Sequence, residues 1–119
     1  MTNFEYWLER KAEEYIMLSQ VIELCNRHAE KIRKNLKKRM EYDYYMDTAI
    51  LAEEQLKELD YVLRNNDHID RVLRHASIDE ILGKLLEIAL DEEELKKAEK
   101  DFIKNCEKVR AVKYWEDLL

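Results

Sequence analysis

Arg27, Lys31, Lys34 and Lys38 recur at intervals of four, three and four residues, which on one helix makes a single cationic row about 16 Å long. Such a row can span several phosphates of a nucleic-acid duplex and release their counterions. Tyr42, Tyr44, Tyr45 and Met46 follow within five positions, and aromatic faces beside a basic stripe can stack on unpaired bases. The same four side chains also suit a protein contact. Successive helical residues point about 100° apart, so the cluster cannot turn wholly toward one neighbour. Tyrosine and methionine left at a surface bury area readily while tolerating a wet edge.

Charge patterning favours the protein contact. Residues 27–40 carry seven Lys or Arg and one Glu, whereas residues 41–63 and residues 77–95 each carry seven acids and one Lys. Folded back as a helical hairpin, the basic row lies near Glu41, Asp43, Asp47, Glu53 and Glu54. Flanking charges of this kind set the register of antiparallel helices and cancel the field that draws nucleic acid. The net charge of −6 acts the same way. We therefore expect a protein-interaction surface at Tyr42, Tyr44, Tyr45 and Met46. Phosphate binding by Arg27, Lys31, Lys34 and Lys38, in the stripe 27–39, is the alternative.

Other chemistries find fewer residues. Cys25 and His28 form a C-x-x-H pair, but a structural zinc needs two further ligands, and Cys106, His68 and His75 would have to converge on it from three other helices. No Glu-x-x-His pair exists, which removes the helical di-iron carboxylate pattern. No metal and no cofactor are expected. Arg64 and His68 stand too close together for the arginine–histidine motif of small helical HEPN ribonucleases. Two serines in the whole chain, with no nucleophile elbow or local triad signature, leave no readable active site. The sequence predicts a non-enzymatic interaction module, an adaptor, a regulator or a small inhibitor, acting through a helical arm or an acidic bundle face.

The elements that must position these residues follow from apolar spacing. Phe4, Leu8, Tyr15, Leu18, Ile22, Cys25, Ala29, Ile32 and Leu36 lie on one stripe, which predicts a helix over about residues 3 to 39. Tyr42, Tyr45, Ala49, Ala52, Leu56, Leu59 and Leu63 predict a second, over 42 to 64. The stripes are out of phase, which places a turn near Lys38 to Glu41. Ile69, Val72, Leu73 and Ala76 indicate a short third helix. Ser77 with Glu80 and Asp91 with Glu94 are capping-box pairs that open a fourth and a fifth, the last running to about Asp117.

The expected fold class is all-α: an elongated bundle of four to five helices with a long, coiled-coil-like two-helix hairpin. It makes one domain, 1–119, with the hairpin over 1–64 and shorter helices over 65–119. A first helix of that length outruns a compact domain of this size, so an arm built from the end of helix one and the start of helix two is expected to overhang. A second copy covering its apolar stripe predicts a homodimer or higher oligomer.

Composition agrees. One glycine and no proline among 119 residues disfavour hairpin turns and phosphate-cradling loops. No apolar run reaches the roughly 18 residues of a membrane span. The first fourteen residues carry acids and no continuous apolar stretch, so no leader is readable and an intracellular, cytoplasmic location is expected. Cys25 and Cys106 both fall at apolar positions and are expected as reduced, buried thiols.

Overall fold

Thr2 and Glu5 start the first helix together. The Thr2 hydroxyl accepts from the Glu5 amide at 3.1 Å, and the Glu5 carboxylate accepts from the Thr2 amide at 3.3 Å. In the computed structural model, which describes residues 2–65 and 77–118, this helix, α1, runs Asn3–Ile32. A single 3₁₀ turn, Leu36–Lys38, leads into α2, Arg39–Arg64. Three shorter helices complete the bundle: α3, Ile78–Leu90; α4, Glu92–Lys100; and α5, Phe102–Leu118. No strand occurs among the described residues.

The capping pairs sit where their spacing places them. The Ser77 hydroxyl accepts from the Glu80 amide at 3.2 Å. One Asp91 oxygen, Oδ1, accepts from the amides of Glu93 and Glu94 at 3.0 and 3.3 Å. Each cap satisfies backbone donors that have no partner inside their own helix. Glu92, Glu93 and Glu94 in the first turn of α4 also face the positive end of its dipole.

Three expectations are corrected. The first helix ends at Ile32 instead of near residue 39, and the turn falls at 33–38. Extending the helix would stack Lys31, Lys34 and Lys38 as like charges three and four apart, which is unfavourable. Asn35 supplies the alternative, since its side chain accepts from the Lys37 amide at 3.1 Å and competes with helical hydrogen bonding. The last helix is divided at Asp101, whose amide bonds to the Ala98 carbonyl at 3.1 Å; aspartate is a weak helix former for the same competitive reason.

The overhanging arm is the third correction. The end of α1 is packed instead of free, because Ala29 is buried and His28 stacks on Phe102 of α5 at 4.8 Å. Only the turn itself stands clear of the bundle. The predicted third helix, with His68 and His75, lies outside the described residues.

One contiguous core joins these helices. Leu18, Val21 and Cys25 of α1 meet Ala49, Ala52 and Leu59 of α2, with Leu95, Phe102, Cys106 and Val109 arriving from α4 and α5. Val21 and Val109 are almost fully buried, each burial stabilising by about 1.5–3 kcal/mol. Polar ties fix the outer edges: the Gln55 amide donates to the Val109 carbonyl at 2.7 Å. Arg64 joins its own-helix Asp60 at 2.9 Å to Asp79 of α3 at 2.8 Å.

Gly83 lies inside α3, is exposed, and has open space where a Cβ would stand. Glycine there carries backbone entropy without a packing purpose, so Gly83→Ala is expected to stabilise the fold by about 0.5–1 kcal/mol. Urea unfolding followed by dichroism checks this, and a loss of stability would contradict the open surroundings.

Candidate functional site

The turn between α1 and α2 is built from its own backbone. Asn35 sits in extended backbone, its amide bonds to the Ile32 carbonyl at 2.9 Å, and its carbonyl accepts from the Lys38 amide at 3.0 Å. This arrangement points Leu36 and Met40 away from the bundle, leaving them 86% and 87% exposed, more than any other large apolar residue described. Cations surround them. Residues 31–40 include six Lys or Arg and no acid. Arg33, just past the end of α1, reaches Glu30 at 3.8 Å, and Arg39 reaches Asp43 on its own helix at 3.3 Å. Lys31, Lys34, Lys37 and Lys38 form no ion pair among the described residues.

The cationic row is therefore not one helical stripe. Lys31 belongs to α1, Lys34 to the connection and Lys38 to the 3₁₀ turn, while Arg27 is occupied elsewhere. Its guanidinium takes Glu23 at 2.9 Å and forks onto Glu92 of α4 at 2.9 and 3.5 Å. The charge pairs expected between Lys31, Lys34 or Lys38 and the acids of α2 are absent among the described residues.

The aromatic cluster divides in the same way. Tyr44 and Tyr45 meet edge to face at 5.9 Å, and Tyr45 lies 5.9 Å from Phe102 and 5.3 Å from His28. Arg110 of α5 sits 4.7 Å over the Tyr44 ring and donates to the Thr48 hydroxyl at 3.2 Å; that hydroxyl donates in turn to the Tyr44 carbonyl at 2.6 Å. Burial pushes both tyrosine hydroxyls above their usual range. Tyr42 turns to the tip instead, beneath Arg39 at 5.5 Å, and Met46 is half-buried. Leu36 and Met40 were missed by sequence reasoning. Leu36 was placed on the buried stripe of a longer helix, and Met40 lies on neither stripe.

No protein-family model, no curated protein and no solved structure matches this chain. Among the described residues no three His, Cys, Asp or Glu side chains are grouped to hold a metal ion, and no helix is long and apolar enough to cross a membrane. The C-x-x-H pair is used in packing: His28 Nε2 lies 2.8 Å from Glu99, and Cys25 Sγ lies 3.9 Å from Cys106 Sγ.

Two measurements test this geometry. The hydrogen bonds from Arg27, with its charge, hold the Glu92 carboxyl below the ordinary glutamate range. A depressed folded value means that the pair contributes stability above the unfolded carboxylate pKa and loses it as pH falls through the lower folded value. Carboxyl-carbon NMR should show a low Glu92 midpoint that returns to the ordinary range in Arg27→Ala; equal midpoints in the two proteins would remove the pair from solution. The second concerns the thiols, both 0% exposed, where the hydrogen bond to Cys106 and burial raise Cys25. A chromogenic disulfide reagent is expected to find both cysteines unreactive in the native protein and both reactive in denaturant.

Proposed function

We propose that the protein is a non-enzymatic helical interaction module, an adaptor, regulator or small inhibitor, that contacts a protein partner through the tip between α1 and α2. One observation carries this reading. Leu36 and Met40, the two most exposed large apolar side chains described, project from one capped turn beside Lys34, Lys37 and Lys38, which have no counter-charge among the described residues. An exposed apolar pair that the fold holds in place costs solvation in the free protein and is regained when a partner covers it.

Support comes also from where the reactive groups are committed. Cys25 faces Cys106, His28 is held by Glu99 and two rings, and Thr48 is shared by Tyr44 and Arg110. The two free, buried cysteines accord with a reducing, cytoplasmic setting. Nucleic acid is the second reading, favoured by the run of six cations without an acid. It ranks lower because Tyr44 lies under Arg110, Tyr42 under Arg39, and Tyr45 against Phe102, which leaves the predicted stacking platforms occupied.

Affinity capture with the wild type beside Leu36→Ser/Met40→Ser tests the reading. Both side chains lie in solvent, so the double variant should melt within about 0.5 kcal/mol of the wild type. A protein held by the wild type and released by the variant is the expected result. Equal retention by both would move the contact elsewhere. Retention of nucleic acid that fails steeply with salt and survives the double variant would favour the second reading.

A further inference from the structure

At the opposite end of α1 from the tip lies a groove of about 320 Å³ between the start of α1, the end of α2 and α3. Leu8, Ala12, Leu63, Ile78, Ile81 and Leu85 line it, and among the described residues its charged lining is Glu5 and Glu9. That space is roughly twice the ~150 Å³ left when one large apolar side chain is deleted from a core, so two aliphatic side chains fit. Glu9 has no ion pair among the described residues, and Glu5 is engaged only with the Thr2 cap. The groove is thus apolar with a free acidic rim, and the tip is apolar with a free basic rim.

We propose that the tip of one molecule docks into this groove on a second copy of the chain, with Leu36 and Met40 in the groove and Lys34, Lys37 and Lys38 against Glu5 and Glu9. The proposal rests on reading the tip as a contact surface, and it names the partner. The docking cannot be internal. Ala12 and Ile32 stand twenty positions apart on one unbroken helix, about 30 Å, so a tip never reaches its own groove. A second copy is also the one partner present wherever the protein is. Because tip and groove lie at opposite ends of α1, two antiparallel molecules exchange both contacts about a two-fold axis, which doubles the buried area and closes the assembly. Two copies of net charge −6 repel at long range, so the attraction between them is local, between the basic tip and the acidic rim.

Sedimentation equilibrium on the full chain tests this with charge exchange. The tip variant carries Lys34→Glu, Lys37→Glu and Lys38→Glu. The rim variant carries Glu5→Gln and Glu9→Lys, glutamine keeping an acceptor for the Thr2 amide. Dichroism and melting temperature establish that each folds. Wild type is expected to dimerise in a salt-dependent manner, and each variant alone to dissociate about tenfold more readily or beyond. An equimolar mixture of the two should recover association, since each then meets an opposite charge. Leu36→Ser/Met40→Ser should dissociate alike and should not recover with the tip variant, a mixture in which no apolar, oppositely charged tip meets the groove. A wild type that stays monomeric to about 100 μM overturns the proposal, as does a dimer that both charge variants leave unchanged. If a monomeric wild type still captures a different protein through Leu36 and Met40, the self-docking falls and the interaction reading stands.

Discussion

The close approach of α1, α2 and α5 is the constraint on which the rest of the structure depends. It is made by small side chains: Cys25, Ala52 and Cys106 are all 0% exposed, and the two sulfurs are 3.9 Å apart. Larger residues at these positions would force the helices apart and open voids that an interior at native packing density does not tolerate. Once the axes are this close, residues one turn away must be large enough to cover the ends of the crossing. Tyr44, Tyr45, His28 and Phe102 do so as a stack of rings. The aromatic cluster that looks like a binding surface in the sequence is in this sense the lid of the small-residue contact.

Fixing α1 to α5 also decides where the positive charge goes. Arg27 and His28 belong to the part of α1 held in the bundle, and both find glutamates on α4. The cations that follow leave the helix with the chain at Ile32. Beyond that point no neighbouring element among the described residues brings acids to them, so Lys34, Lys37 and Lys38 stay unpaired, as does Lys31 in the last turn of α1. A continuous helix would have laid them beside the acids of α2. The turn therefore separates charges that the linear pattern places opposite one another.

Much of the fold was legible from spacing because apolar periodicity and caps are local signals. The α2 stripe, Ser77 and Asp91 act on residues within a turn or two, and each appears where its pattern puts it. Thr2 with Glu5 has the same capping spacing and adds the reciprocal bond from the Thr2 amide to the Glu5 carboxylate. The two helix breaks were harder. At Asn35 and Asp101 the chain carries no glycine or proline, and the periodicity continues through both, so the choice between helix and turn rests on like-charge stacking and side-chain competition. Those effects are each small. The candidate surface was least legible for the same reason: moving one helix end by seven residues changes Leu36 from a core position to one of the two most exposed large apolar side chains described.

That sensitivity has a consequence for how stability and contact are divided. Residues that hold the bundle, such as Val21, Ala52, Cys106 and Val109, are buried, whereas Leu36 and Met40 make the tip without supporting any helix. Glu9 likewise is exposed and borders the groove without serving as a cap. Changes at these positions alter what the protein can bind at little cost to its fold, whereas changes near Cys25 and Cys106 act on the fold first. A contact between unlike surfaces at the two ends of a rigid helix also sets the geometry of any assembly: α1 fixes their separation, and the direction of the turn fixes their relative orientation. The angle between tip and groove on which a two-fold pairing relies is held by the packing of His28 on Phe102 at one end and by the Arg64 bridge to Asp60 and Asp79 at the other.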